Sequence, residues 1–536
     1  MNIFAHLFLR HKFFFLLLVC AMGMNGYLLW SYPNIGGDGI AFLLPIHHLI
    51  AGDGYSLGSE PSLLFSPGYG LLAAPIYFFI KDIEYSGMLV SGFSYIGLIC
   101  VTYICISKII DKRAALISSL FITFSPLLIS QSYINLADIA ATFFIVLSVL
   151  LTVRVIVIDT RRKVYFVIGL LFGFGTLIRP DCLLVGAGCA GVIIVIYFID
   201  IARKKRNSIS LWSIVLLIVG FFFCVFPYML YLHGHTGIWT ISTKLSLLAV
   251  GGSGVNDVAI DASFLDTLIN TVKYDLVGTF DRMYTSGKFC LYSFVVCNFY
   301  LIVPLLFIWL SHPFVAFQGL GRSVFNKTDT MREAAIFAVS FIPLIPYLLY
   351  AKADRRWLPY WTLFEIAAGI FVYFLLRGMI KDENNKTWLV TITIIGLSVI
   401  VSPFLPTPPF MQPHTLQNAM HYSRGHDGLR GAGYWLRDNV PIEDRTKILS
   451  RKPSVVVFYA YDKNIAPSYG NGLSKNSEIL ESIKQLDDNS IKYMILDYHY
   501  IKEMQSFQPL WNQPALANHY GIHLIASNST FKIFSK

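Results

Sequence analysis

SYPNIGGDGIAFLLPIHHLIAGDGYS, from Ser31 to Ser56, sets an aspartate between glycines directly after the first long apolar run of the chain. Asp38 leads into an amphipathic stretch that closes on a second Gly-Asp-Gly. A carboxylate at the end of a membrane span needs a partner or water, and such groups often mark function. The significance of Asp38 therefore depends on whether the run before it, about 13–31, crosses a bilayer.

Composition answers that. Of 536 residues, 55% are hydrophobic and 14% charged, against about 25% charged in ordinary soluble domains. Several apolar runs reach the roughly 17–25 residues that a membrane-crossing helix needs. The expected fold class is mainly α: a polytopic helical membrane protein with a small α/β domain at its C-terminus. The net charge of +10 is no nucleic-acid signal, because the basic residues sit between apolar runs, where they orient helices. The eight cysteines lie in or beside apolar runs without a CxxC pair, as small core residues do. His/Cys metal-ligand clusters are absent from the sequence. The N-terminus resembles a signal peptide but lacks a clear small-residue cleavage site, so it reads as a retained first span.

Arg10 and Lys12 put the N-terminus on the cytoplasmic side. Asp38 is then outside. The run SPGYGLLAAPIYFFI is short for a span and reads as an interfacial helix, as does the stretch 39–51. Further spans follow at about 87–108, 114–133, 138–158, 164–178, 182–200, 209–232, 291–310, 334–351, 358–376 and 387–403. That gives about eleven, with Lys112, Arg113, Arg161, Arg162, Arg203 and Arg377 on the cytoplasmic side. Counting 66–80 as a span would turn every basic cluster from Lys112 onward outward, against the positive-inside rule.

The expected domains are 1–405, spanning the membrane with outer loops 32–86 and 233–290, and 406–536 outside it. Beyond the proline-rich SPFLPTPPFMQP, GLRGAGYWLRDNVP reads as a helix, SVVVFYA as a strand, SEILESIKQLDD as a helix and IKYMILDY as a strand. HLIASNSTFKIFSK reads as a terminal strand pair. Alternating helix and strand predicts a small α/β domain.

This topology collects conspicuous polar residues on one side: Asp38, Asp138, Arg179 with Asp181, and Asp354, Arg355 and Arg356. Each has a plain reading. Asp38 and Asp138 are suited to helix N-caps or turns, Arg179 to interface anchoring, and Arg355 and Arg356 to snorkelling. Together they suit another chemistry. A carboxylate at the edge of a membrane cavity deprotonates a hydroxyl or amine acceptor. Arginines hold the phosphate of a lipid-linked donor as it leaves. Lys244, Lys273, Arg282 and Lys288 are available to assist. GGDGIAFL does not follow a strand and does not fit a nucleotide-phosphate loop.

The order of these motifs resembles integral-membrane glycosyltransferases of the GT-C class, similar to the dolichyl-phosphate-mannose protein mannosyltransferases and the lipid A aminoarabinose transferase. The segments that carry the resemblance are GGDGIAFLLPIHHLIAGDGYS, LFSPGYGLLAAPIY, DKRAALISSLFITFSPLLISQSYINLADIAATFF, GLLFGFGTLIRPDCLLV, DRRWLPYWTLFEIAAG and GAGYWLRDNVP. It implies that Asp38 is the acceptor-activating base and Asp138 a second acidic residue of the catalytic cavity. It implies that Arg356, with Arg355, holds the donor phosphate and that Arg179 lines the cavity. Gly39 stands where many relatives have glutamate, Ser66-Pro67-Gly68 where a His-Pro-Pro or Lys-Pro is usual, and Trp357 in place of tyrosine.

The function implied is transfer of a sugar from a polyprenyl-phosphate donor to a lipid, glycan or protein acceptor at the outer face of the cytoplasmic (inner) membrane. The partners are that donor, the acceptor and membrane lipids, with no nucleic acid. No cofactor is expected; two carboxylates suffice to share a divalent metal, but the resemblance implies a reaction that does not require one. The alternative is a transporter or flippase of lipid-linked sugars, which predicts midplane polar residues and repeated halves. A second rival is a sensor or assembly protein with an exported α/β domain.

Overall fold

The computed structural model of the protein describes residues 11–33, 35–57, 60–157, 162–202, 209–243, 284–285, 288, 358–379, 427–461, 471–473, 478–487, 491–502 and 504–536. Five of the described helices are long and apolar enough to cross a membrane: α1 (Lys12–Ser31), α4 (Ile83–Ile109), α7 (Ala137–Val157), α9 (Cys182–Ala202) and α10 (Leu211–Thr236). Between them stand α2 (Gly37–Ala51), α3 (Gly68–Ile80), α5 (Lys112–Thr123), α6 (Pro126–Gln131) and α8 (Lys163–Ile178). Helix α11 covers Leu358–Met379. The chain is a multi-pass membrane protein. The expected spans at about 291–310, 334–351 and 387–403, and most of the loop 233–290, lie outside the described residues.

The chain divides into two compact units. The first takes in α5 to α11, most of α1 and the greater part of α4. Hydrocarbon gives helices no hydrophobic reason to associate, so close backbone contact has to supply it. Gly169 and Gly173 of α8 provide such contact against α10. A Cβ at Gly173 would lie 2.6 Å from the Phe221 carbonyl oxygen, and one at Gly169 would collide with the Leu217 carbonyl. Gly220 returns the contact against the Phe166 carbonyl. Helices α5 and α11 meet through Ser118, whose Oγ donates to the Ile366 carbonyl at 3.0 Å.

One expected span is broken. The run 114–133 reads as one helix, but α5 stops at Thr123 and α6 restarts at Pro126. Pro126 has no N–H to continue α5 and is favoured at the first position of a new helix. Ser125 caps that helix, its Oγ accepting from Leu128 N at 3.5 Å.

The second unit gathers Leu28–Val90, Tyr133–Leu136 and the described residues from 427 to 536. Here α2, a short β1–β2 hairpin (Ser56–Leu57, Glu60–Pro61), α3 and the start of α4 cluster with a small α/β fold. That fold has helices α12 (Asp427–Asn439), α13 (Pro453–Ala460) and α14 (Ile479–Asp487). Its strands are β3 (Ile448–Ser450), β4 (Asn471–Gly472), β5 (Tyr493–Asp497), β6 (His523–Ser527) and β7 (Phe531–Ser535). The sheet order is β4-β3-β5-β7-β6. Strands β4, β3 and β5 run parallel, with Leu449 opposite Met494, and β7 and β6 close the sheet antiparallel.

SVVVFYA is a helix, not the strand its β-branched run predicts. Pro453 starts α13 at the position proline favours. Residues 455–460 are all buried, and an element buried all round shows neither period.

Candidate functional site

Asp38 lies in the first turn of α2, where the helix dipole favours negative charge. The plain cap reading does not hold: Gly36 is the N-cap and makes no side-chain cap hydrogen bond. Asp38 is exposed, whereas Gly39 and Ile40 beside it are buried. The burial has a direct cause. Gly39 packs against Asn135, and a Cβ there would collide with the Asn135 carbonyl and lie 3.0 Å from Ile35 Cγ1. The Asp-Gly pair thus seats one residue against the protein and leaves the carboxylate of the other turned out. Tyr133, close by in the same short segment, is fully buried, and its hydroxyl has no hydrogen-bond partner among the described residues. Burial pushes the Tyr133 phenol above its ordinary range.

Asp138 occupies the first turn of α7 and also does not cap it. Arg179, just beyond the end of α8, donates from Nη1 to Asp138 Oδ1. The same guanidinium donates from Nε to Asp181 Oδ1 at 3.2 Å and from Nη2 to Asp181 Oδ2 at 2.7 Å. Both carboxylates are nearly inaccessible, with side-chain exposures of 5% and 7%, and Arg179 is exposed by only 19%. Extended backbone at Arg179, required before a proline, turns its side chain off the helix line. The sequence reading named Asp138 and Arg179 but did not pair them.

Arg355 and Arg356 lie outside the described residues, as do Lys244, Lys273 and Arg282. Among the described residues no three His, Cys, Asp or Glu side chains converge as metal ligands.

Other polar groups escaped the sequence reading. Glu365 sits in α11, only 2% exposed, and accepts from Ser125 Oγ at 2.6 Å. The glutamate in the apolar stretch TLFEIAAG was the available signal. In the second unit, Tyr459 of α13 donates to Glu84 Oε1 at 2.6 Å, and both side chains are fully buried. Arg430 of α12 donates from Nη1 to the Pro33 carbonyl at 2.9 Å.

Residues 66–231 match the family described as dolichyl-phosphate-mannose-protein mannosyltransferase. The fold is shared along almost the whole chain with ArnT from Cupriavidus metallidurans, whose crystal structure contains undecaprenyl phosphate. The TM-score is 0.57 at 11% identity, covering 98% of each chain. The chain has the GT-C fold. The archaeal oligosaccharyltransferase AglB from Archaeoglobus fulgidus, solved with an inhibitory peptide and a dolichol-phosphate, gives a TM-score of 0.54 at 12% identity. That likeness covers 92% of this chain and 70% of AglB. No curated protein matches the chain in sequence. Within the GT-C fold, the exposed Asp38 stands in the first turn of α2, the helix that follows α1.

Proposed function

We propose that the protein transfers a sugar from a polyprenyl-phosphate donor to a lipid, glycan or protein acceptor at the outer face of the cytoplasmic membrane. The observation that carries this is the exposed Asp38, placed by buried neighbours at the start of α2 directly after α1, in a chain of GT-C fold. The two similar structures, ArnT bound to undecaprenyl phosphate and AglB in complex with a dolichol-phosphate, support a lipid-phosphate donor.

In this reading the acceptor oxygen or nitrogen attacks the anomeric carbon of the donor sugar. Asp38 takes the acceptor proton as the new bond forms. The bond from that carbon to the phosphate oxygen breaks, and the oxygen keeps the electron pair. Arg356, with Arg355, binds the phosphate and stabilises the charge that grows on it. Asp138 contributes a second negative charge, fixed by Arg179, and Arg179 serves through that pairing.

The test compares glycolipids and glycoproteins by mass from cells with the wild-type chain, with Asp38→Asn, and without the chain. A sugar-sized mass difference that needs both the chain and Asp38 supports the function. Identical profiles in all three contradict it. Arg356→Ala is expected to raise the apparent KM for the lipid donor, and an unchanged KM would remove Arg356 from the phosphate site.

A further inference from the structure

The motif GLRGAGYWLRDNVP has no role in the transfer just described, yet it reaches the residues beside Asp38. Arg430 lies in the first half of α12, half-buried, with its guanidinium carbon 5.6 Å from the Tyr434 ring centroid and 5.5 Å from that of Tyr459. Its Nη1 donates to the carbonyl of Pro33, five residues before Asp38. Burial alone would weaken the charge on Arg430, but Tyr459, Glu84 and Tyr434 raise its pKa overall. Tyr459 is fixed in turn by its hydrogen bond to buried Glu84.

A second contact falls a few residues further on, at Gly37. Ser454, in the first turn of α13, comes so near Gly37 that a Cβ added there would lie 3.1 Å from Ser454 Oγ. Helices α12 and α13 are themselves locked: a Cβ at Gly433 would lie 2.6 Å from the Val456 carbonyl oxygen. A third contact is Gly39 against Asn135. The backbone is therefore held at Pro33, Gly37 and Gly39, and the exposed Asp38 lies between the last two of these points.

We infer that Arg430, braced by the Tyr459–Glu84 hydrogen bond, is a positioning residue for Asp38, so that the C-terminal α/β fold sets the geometry of transfer. The inference rests on the reading of Asp38 as the base. A carboxylate that must meet an acceptor proton within hydrogen-bond reach needs its backbone fixed, and a misplacement of about 1 Å can cost a hundredfold in rate. The guanidinium fixes a backbone carbonyl, so the constraint acts on the path of the chain and not on the aspartate side chain itself.

The test uses the full-length chain in lipid nanodiscs. Arg430→Ala is expected to lower kcat on the order of ten- to a hundredfold with the KM for the lipid donor little changed. Arg430→Lys, which keeps a donor and a charge, should recover much of the loss. Cysteines at positions 37 and 454 lie close enough for a disulfide. In the Arg430→Ala background, oxidising that pair should restore kcat, and a reductant should remove the gain. Hydrogen exchange at backbone amides 35–40 gives a readout independent of activity and is expected to quicken in Arg430→Ala. Loss of activity in Asp38→Asn together with unchanged kcat and exchange in Arg430→Ala would overturn the positioning role and leave the base. Retained activity in Asp38→Asn would remove the base, and quickened exchange would then show the grip alone.

Discussion

Arg179 holds Asp138 and Asp181 with one guanidinium, giving Asp181 two hydrogen bonds and Asp138 a third across forty-one positions of sequence. The arrangement joins the start of α7 to the turn between α8 and α9. Both buried carboxylates pair with the one guanidinium, so loss of Arg179 disturbs two anions at once, whereas loss of either aspartate leaves Arg179 the other.

Removing Arg179 takes from two buried carboxylates the guanidinium that pairs with both. Arg179→Ala should therefore cost about 3–5 kcal/mol, read as a large fall in Tm in detergent or as loss of inserted protein. Asp138→Asn keeps an acceptor for Nη1 and should cost much less. Equal stability of Arg179→Ala and wild type would show that water already screens the cluster.

Ser125 links the break between α5 and α6 to Glu365 of α11 and also caps α6. Ser125→Ala removes both interactions, with an expected loss of about 1–3 kcal/mol. Glu365→Gln retains an acceptor and should be far milder. Thermal unfolding of the two variants distinguishes them, and a reversed order would contradict the hydrogen-bond account.

Asp497, at the end of β5, is pushed up to about 7 by burial first and by nearby Asp427, against hydrogen bonds from the backbone of His499, Tyr500 and Leu429. Its ordinary value is 3.8, so between these values the folded chain binds a proton that the unfolded chain has lost. Stability from this group is full below about pH 3.8, falls as pH rises toward about 7, and levels off above it. Asp497→Asn should flatten that slope in a plot of Tm against pH. An unchanged slope would assign the dependence to other groups.

Gly39→Ala places a methyl group against the Asn135 carbonyl and Ile35. Either α2 shifts or the neighbours move, at about 1–3 kcal/mol. Because Asp38 precedes this contact, sugar transfer should fall by more than the protein level does. A proportional fall in both would make the contact purely structural.

Much of the helical framework was legible in the sequence. Long apolar runs locate α1, α4, α7, α9 and α10 to within a few residues, because the bilayer sets their length. The α5–α6 break was hidden: Ser125-Pro126 sits inside an unbroken apolar run, and hydropathy does not register a missing N–H. SVVVFYA misled because its β-branched residues suit a strand, whereas complete burial and Pro453 make it α13. Asp38 was singled out from its place after the first span. Its support was not, since Arg430 and Pro33 lie 397 positions apart and Tyr459 and Glu84 lie 375 apart. No local pattern encodes such pairings.

The most direct measurement is the initial rate of sugar transfer from a polyprenyl-phosphate donor by wild type, Asp38→Glu and Asp38→Asn, reconstituted at equal density in lipid vesicles. A base at Asp38 predicts a loss of about a hundredfold to ten-thousandfold for Asp38→Asn, with partial activity in Asp38→Glu and normal insertion of all three. Transfer by Asp38→Asn at the wild-type rate would contradict the account.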